Sequence, residues 1–142
     1  RGEGSIDDKV KAVVEGIAEW MQVNSEAIIG TRPWRFFGEG PAQEEAPELH
    51  AQGFNEGKGK PFTNEDIRFT SKGKEIYATV MGQLNGDRIQ IKTLPTSTQK
   101  VKRVELLGVS GKLPFTQDAQ GLWIQLPSAH SYHEIASVFK VT

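Results

Sequence analysis

The apolar residues of this chain change their period once, and that change limits the fold to a helix followed by strands. From residue 66 onward, apolar and polar residues alternate in short runs, as they do in half-buried strands. Such runs lie at residues 76–81, 88–92 and 122–126, and further strands are predicted at 101–109 and 136–141. Because no helical segment separates these strands, they predict an antiparallel β-sandwich rather than a sheet built from βαβ units.

Two turn signals separate neighbouring strands. Asn85-Gly86-Asp87 predicts a β-hairpin, because these residue types readily adopt the left-handed conformation that two-residue hairpin turns require. Lys72-Gly73 marks another tight turn. We therefore expect the strands on either side of Asn85 to pair with each other.

One amphipathic α-helix is predicted before the strands. Ser5 fits the N-cap, with Asp8 in the first turn, so the helix should start near Ile6. Asn24 tolerates the left-handed conformation of a C-cap, so the helix should end near Val23 or Asn24. Its apolar residues recur at three- and four-residue steps and form one face, here called the helix stripe: Val10, Val13, Val14, Ile17 and Met21.

A connector with frequent turn residues joins the helix to the strands. It contains one short predicted strand, from Trp34 to Phe37. Residues 38–65 have no apolar period, and Gly and Pro recur among Glu, Gln and Lys. We expect this stretch to be mobile or to lie over a neighbour, because structureless loops longer than about 15 residues are unusual in compact domains.

Composition argues against several classes of partner and site. The formal net charge is −1, the pI is near 6.4 and the 17 basic residues are scattered, so no nucleic acid and no membrane surface is an expected partner. No apolar run approaches the roughly 20 residues of a membrane-spanning helix. The chain has no cysteine, which excludes a thiolate nucleophile and a zinc site built on sulfur. No cofactor is predicted.

The most specific pattern lies where the helix leads into the connector. The segment from Ile17 to Gly40 resembles the junction in family 29 α-L-fucosidases where the last helix of the catalytic barrel leads into a C-terminal β-sandwich. The part from Val23 to Trp34 carries most of this specificity. Later segments resemble successive strands of the same sandwich: Asp66 to Thr70, Ile76 to Ala78, Val104 to Gly108, Gly121 to Pro127 and Ala136 to Val141.

The resemblance implies a chemistry that belongs to the barrel. Enzymes of this family hydrolyse terminal α-L-fucose with retention, using an aspartate nucleophile and a carboxylic general acid/base. Those groups precede the region that this chain resembles, so no catalytic residue is carried over to it. A periplasmic or secreted location is implied by the resemblance alone.

A division of the chain and a partner follow from the same resemblance. Residues 1–31 would be the terminal helix and connector of the barrel, 32–65 a linker with a short strand and a long mobile loop, and 66–142 the β-sandwich. Since the chain begins at Arg1, we expect a processed product or a piece of a longer protein. The expected partner is the catalytic barrel, in the same polypeptide or as a separate chain, packed on the helix stripe; self-association would cover the same face.

Paired carboxylates are the first chemistry to test, because a retaining glycosidase needs two about 5–5.5 Å apart. Glu15 and Glu19 lie one helical turn apart, but other charges surround them, which favours a solvated helix face. Glu44, Glu45 and Glu48 lie in the connector, where nothing would remove water from them. Neither group is predicted to be catalytic.

Other combinations of residues are weaker still. His130 and His133 would point to opposite sides of an extended segment, so no metal site is predicted. Ser128 or Ser131 could be combined with His130 and Asp118, but neither serine lies in a nucleophile elbow. The glycines from residue 53 to residue 59 lack the strand, the helix and the Gly-Lys-Ser/Thr ending of a phosphate loop.

The aromatic residues leave two interpretations open. Trp123 lies on the outer face of a predicted strand, where it fits interdomain packing or stacking on a sugar ring, with Tyr77 and Tyr132 as companions in the second case. Trp20 and Trp34 are predicted to pack where the helix meets the sandwich. The chain is therefore predicted to be a structural, non-catalytic region of a fucosidase, and the alternative is an independent carbohydrate-binding module. A complete hydrolase would need a nucleophile that the sequence does not show.

Overall fold

The computed structural model describes residues 2–44, 61–128 and 135–142. Helix α1 (Asp8–Asn24) runs directly into a 3-10 turn (Ser25–Ala27), and a one-turn helix, α2 (Pro41–Glu44), follows the first strand. The strands are β1 (Arg32–Glu39), β2 (Ile67–Lys72), β3 (Glu75–Val80), β4 (Arg88–Ile91), β5 (Val104–Leu106), β6 (Phe115–Asp118), β7 (Gly121–Gln125) and β8 (Ser137–Val141).

The strands form two antiparallel sheets that pack face to face. The five-stranded sheet has the order β1-β2-β3-β8-β5, and the three-stranded sheet has the order β4-β7-β6. Apolar side chains from both inner faces fill the space between them, including Ile67, Ile76, Ile91, Leu122 and Phe139. The predicted fold class, an antiparallel β-sandwich preceded by one amphipathic helix, is confirmed.

A third layer covers part of the outer face of the five-stranded sheet. Ala27, Tyr77 and Val138 form a second buried cluster, and Trp20 and Leu107 pack against it. Tyr77 and Val138 point outward from their strands, so this cluster lies between the sheet and the end of α1. The layers therefore run helix, five-stranded sheet, three-stranded sheet.

The predicted helix caps were wrong at both ends. Asp7, rather than Ser5, is the N-cap, because its carboxylate accepts the Val10 amide at 2.8 Å. Asn24 is buried with φ −114°, so it is not left-handed, and its side-chain amide donates to the Trp20 carbonyl oxygen at 3.1 Å. The chain consequently continues into the 3-10 turn, and the first left-handed residue after the helix is Gly30.

The strand predictions were mostly right, with one wrong pairing and one omission. β2 and β3 form a hairpin across Gly73, whose φ is +60°. Asn85-Gly86-Asp87 does not close a hairpin: β3 pairs with β2 and β8, whereas β4 pairs with β7 in the other sheet. β6 was not predicted, and it pairs with β7.

The segment between helix and sandwich contains more structure than the short strand predicted there. β1 extends from Arg32 to Glu39 and joins the sheet as an edge strand beside β2. Residues 45–60, which hold most of the predicted loop with Glu45 and Glu48, lie outside the described residues. The three-part division of the chain stays a prediction.

Candidate functional site

One face of α1 attaches it to the sandwich. The Trp20 indole nitrogen donates to the Ala136 carbonyl oxygen at 3.0 Å, next to β8. Val23 packs so closely on Gly108 that a Cβ at that glycine would lie 2.7 Å from the Val23 Cγ1 atom. Gly16 approaches Ile135 on the same face, because residues at positions i, i+4 and i+7 share one side of a helix. The C-terminal half of α1 is thus fixed on the five-stranded sheet.

The helix stripe lies on a different face and is not used by this attachment. Val10, Val13, Val14 and Ile17 are between 49% and 62% exposed, and Met21 is half-buried. With about 100° of rotation per residue, the stripe is centred roughly 100° round the helix from Trp20 and Val23. The helix stripe, which is predicted to pack against a partner, is therefore open to solvent.

The two tryptophans that were predicted to pack at the junction contact this chain's own sheets. Trp20 packs on the outer cluster, as described above. Trp34 is half-buried against the main core, and its ring makes edge contacts with Phe69 and Phe36 at centroid distances of 5.1 and 5.2 Å. Both therefore stabilise the attachment of residues 8–39 to the sandwich.

A pair of carboxylates that sequence reasoning missed meets at this junction. The Tyr77 hydroxyl lies 3.0 Å from the Glu26 Oε2 atom and 3.1 Å from the Glu75 Oε2 atom. Lys140 Nζ lies 3.1 Å from Glu26 Oε2 and 3.5 Å from Glu75 Oε1. Glu26 and Tyr77 are 51 residues apart in the chain, so no local pattern marks their contact.

The electrostatics of this cluster do not suit a catalytic acid. Burial acts to raise the pKa of Glu26, but hydrogen bonds from Lys140 and Tyr77 and the charge of Lys140 outweigh it, so the pKa lies below its ordinary value. Burial and the hydrogen bonds with Glu26 and Glu75 raise the pKa of Tyr77. A general acid needs a carboxyl with a raised pKa. The cluster instead ties the 3-10 turn to β3 and β8.

Asp66 is a buried carboxylate with a structural role. Its Oδ1 atom accepts the Ala42 amide and its Oδ2 atom accepts the Thr63 amide, each at 2.8 Å. Burial acts to raise the pKa of Asp66, but these backbone hydrogen bonds and the Thr63 hydroxyl outweigh it and lower the pKa. Asp66 thus fastens the start of α2 beside β2.

The other titratable candidates do not assemble. Glu15 forms only an exposed ion pair with Lys11, at 3.8 Å, on the solvated side of α1. His130, His133 and Ser131 lie outside the described residues, as do the glycines from residue 53 to residue 59. Within residues 2–44, 61–128 and 135–142, no three His, Asp or Glu side chains are arranged to hold a metal ion. No helix in those ranges is long and apolar enough to cross a membrane.

The aromatic candidates for sugar stacking differ sharply. Tyr77 is 1% exposed beneath the end of α1, so its ring presents no face to a ligand. The prediction that Tyr77 stacks on a sugar is therefore wrong. Tyr132 lies outside the described residues. Trp123 is half-buried on the outer face of the three-stranded sheet, with the Arg88 guanidinium carbon 4.7 Å from its ring centroid. A groove of about 510 Å³ runs past it, and its lining includes Asp87, Phe115 and Gln125.

Comparison with known proteins decides the family. Residues 60–142 match the alpha-L-fucosidase C-terminal domain. The chain belongs to this family. The match confirms the resemblance stated from the sequence, and it covers strands β2 to β8.

Full-length relatives are much longer than this chain. It is 29% identical over 112 residues to tissue alpha-L-fucosidase of Mus musculus, which is 78% of this chain and 20% of that protein. It is 26% identical over 122 residues to alpha-L-fucosidase of Branchiostoma floridae, which is 83% of this chain and 21% of that protein. The chain thus spans about a fifth of the length of these relatives.

Solved structures of the family share the fold. The chain matches alpha-fucosidase of Thermotoga maritima with a TM-score of 0.70 and 23% identity, over 100% of this chain and 28% of that one. It matches alpha-L-fucosidase isoenzyme 1 of Paenibacillus thiaminolyticus with a TM-score of 0.62 and 19% identity, over 98% and 28%. The matches include α1 as well as the sandwich, because they extend over nearly all of this chain.

Proposed function

We propose that this chain is the C-terminal region of an exo-acting retaining α-L-fucosidase that removes terminal α-L-fucose from glycans. Within that enzyme the region is structural and non-catalytic, and it braces the catalytic domain. Two findings support the proposal: the chain belongs to the C-terminal domain family, and it spans about a fifth of the fucosidases that it matches. The catalytic domain lies in the same polypeptide or in a separate chain.

The observation that carries the proposal is the open helix stripe. Its four most exposed members point away from the sandwich, although α1 is firmly attached to the sandwich by its other face. Full burial of an exposed apolar side chain is worth roughly 1.5–3 kcal/mol, so each of these half-exposed residues would contribute a part of that, and an open stripe of this size favours association. A catalytic domain packed on the stripe gives that burial.

The chemistry of the described residues agrees with a non-catalytic role. A retaining glycosidase needs two carboxyl groups flanking the bond, one of them protonated. Among the described residues, Glu26 and Glu75 share the partners Tyr77 and Lys140, and these contacts lower the pKa of Glu26 rather than keep it protonated.

The first test combines mass and activity on one sample of the protein as isolated. The intact mass is measured, and release of nitrophenol from a nitrophenyl α-L-fucoside is then followed. A mass of 15.7 kDa without release supports a structural domain, and a larger mass with release supports a catalytic domain in the same polypeptide. Release by a chain of 15.7 kDa would place catalysis here and overturn the proposal.

The second test asks whether the stripe is the docking face. The double variant Val14→Glu/Ile17→Glu puts two charges on the stripe, and the control Ala12→Glu/Gln22→Glu puts two on the opposite side of the same helix. Sedimentation velocity should show that the stripe variant loses a self-assembly or a bound catalytic chain that the control keeps. Where the catalytic domain is in the same polypeptide, the stripe variant alone should lower the melting temperature. Equal behaviour of the two variants contradicts docking through the stripe.

A further inference from the structure

The outer face of the three-stranded sheet sets one indole among polar side chains. In the antiparallel register, Gln90 of β4 and Thr116 of β6 lie directly opposite Trp123 of β7, one on each side. Residues paired in this way point to the same face of a sheet. Trp123 is therefore the centre of a row formed by an amide, an indole and a hydroxyl.

The neighbouring row adds further hydrogen-bonding groups. Arg88 pairs with Gln125, and both are exposed beside the groove. The Arg88 guanidinium lies against the Trp123 ring at 4.7 Å, a cation–π contact that restricts rotation of the indole. The Gln90 side-chain amide donates to the Gln120 carbonyl oxygen at 3.0 Å, which fixes that side chain. The face is thus ordered before any ligand arrives, and less entropy is lost on binding.

The charges on the groove indicate what it can hold. The lining carries one cation, Arg88, and one carboxylate, Asp87, so their charges offset each other. Asp87 would repel a strongly anionic ligand, and Arg88 would repel a cationic one. An uncharged ligand with many hydroxyl groups is repelled by neither side chain, and the amide, hydroxyl and guanidinium groups of this face can hydrogen bond to it.

The groove lies on the opposite side of the sandwich from the helix stripe, which argues against one domain docking on both. α1 lies over the outer face of the five-stranded sheet, whereas Trp123 lies on the outer face of the other sheet. The whole sandwich, with sheets about 10 Å apart, separates them. A partner whose contacts are confined to the stripe and its surroundings therefore leaves Trp123 open.

We propose that this groove is an accessory site for a neutral oligosaccharide. The apolar C–H face of one sugar ring stacks on the face of the Trp123 ring opposite the Arg88 guanidinium, and that ring buries apolar surface at low entropic cost. Thr116, Gln125 and the Arg88 guanidinium, which line the groove, hydrogen bond to hydroxyls of that ring and its neighbour. A volume of about 510 Å³ lies within the range of small-ligand sites. The site stands whether or not the stripe docks a catalytic domain.

The three tryptophans of the chain make a direct test. In a ¹H–¹⁵N spectrum of the 142-residue chain, the indole signal of Trp123 is followed while L-fucose, lactose and cellobiose are added separately. We expect a saturable shift with at least one sugar and a dissociation constant on the order of 1 mM. The indole signals of Trp20, which bonds to Ala136, and of Trp34 are internal controls and should not move.

Two variants separate stacking from a general effect on the fold. Trp123→Phe, which keeps an aromatic ring, assigns the Trp123 signal and should weaken binding less than Trp123→Ala, which should weaken it about tenfold or more. Binding to these variants is read from the backbone amide of Gln125.

Three outcomes overturn the site. The first is that no sugar moves the Trp123 signal at tens of millimolar, and the second is that all three indoles shift equally. The third is that dilution alone shifts Trp123, because a second copy of the chain would then occupy the groove. Neither variant touches the helix stripe, so failure here leaves the tests of the proposed function unaffected.

Discussion

Each sheet of the sandwich carries an outward aromatic residue at its centre, and the two have opposite fates. Tyr77 on the five-stranded sheet is buried by the end of α1, and its hydroxyl is held by Glu26 and Glu75. Trp123 on the three-stranded sheet has the Arg88 guanidinium against its ring and opens on a groove. Both residues lie in strands that alternate in the same way. The comparison shows that the segment lying over a sheet, rather than the pattern of the strand, determines what an outward aromatic residue does.

The largest expected difference between the two faces is in stability. Tyr77→Ala removes a fully buried ring and should lower the free energy of unfolding by about 3–5 kcal/mol. Tyr77→Phe keeps the ring and should cost about 1–2 kcal/mol, because the carboxylates lose a buried donor. Urea denaturation followed by circular dichroism measures both. A cost below about 1 kcal/mol for the alanine variant would mean that α1 does not cover this face.

A smaller loss of stability is expected when the attachment of α1 is weakened but the buried cluster beneath it remains filled. Trp20→Phe keeps an aromatic ring but removes the hydrogen bond to the Ala136 carbonyl oxygen. We expect the free energy of unfolding to fall by about 1–2 kcal/mol. Amide hydrogen exchange should also become faster in α1 while β4, β6 and β7 remain protected. Uniform acceleration across both sheets would count against a separate helix layer.

The corresponding change on the open face should cost little. Trp123→Ala removes a half-buried ring and its cation–π contact with Arg88, which is worth about 0.5–1 kcal/mol. We expect the free energy of unfolding to fall by about 1 kcal/mol, measured by the same urea denaturation as for Tyr77→Ala. A loss near that of Tyr77→Ala would show that Trp123 is a packing residue, and the contrast between the faces would disappear.

The smallest effect concerns pH and involves the carboxylate cluster on the covered face. Because the folded pKa of Glu26 lies below its ordinary 4.5, the stabilisation by Lys140 and Tyr77 is present above about pH 4.5 and is lost as the pH falls through the folded pKa. Glu26 is partly exposed, so this contribution is about 0.5 kcal/mol. Glu26→Gln should therefore reduce the stability difference between pH 7 and pH 3 in thermal denaturation. Glu15→Gln, at an exposed carboxylate, is the control and should not.

The elements that follow from local pattern were predictable from the sequence. The helix stripe and its period place α1 within two residues of its observed bounds, and Gly73 predicts the β2–β3 hairpin. The sequence predicts Ser5 as the N-cap, but Asp7 is also a residue type that favours this position. The choice between them depends on where the helical backbone begins. Local patterns therefore predict the helix, but the fold determines which of two nearby residues caps it.

Pairings between distant segments were not predictable in the same way. The turn at Asn85 has the chemistry of a hairpin, but the strands beside it belong to different sheets because β3 finds a partner in β8, far along the chain. β6 pairs with β7 from Phe115 to Asp118, yet only Phe115 among these four residues is apolar, so the segment shows no clear alternation. The cluster of Glu26, Tyr77 and Lys140 depends on three separate elements, so only the fold brings it together.

The order of the layers also limits how the two proposed surfaces can cooperate. A partner on the helix stripe and a glycan in the Trp123 groove are separated by roughly 20 Å of packed protein, the thickness of a helix layer and two sheets. A short sugar chain held in the groove would not reach a partner seated on the stripe. The groove would therefore act through effective concentration, keeping the enzyme near the many other chain ends of a branched or surface-bound glycan. A small soluble substrate, which has only one end, would gain nothing from it.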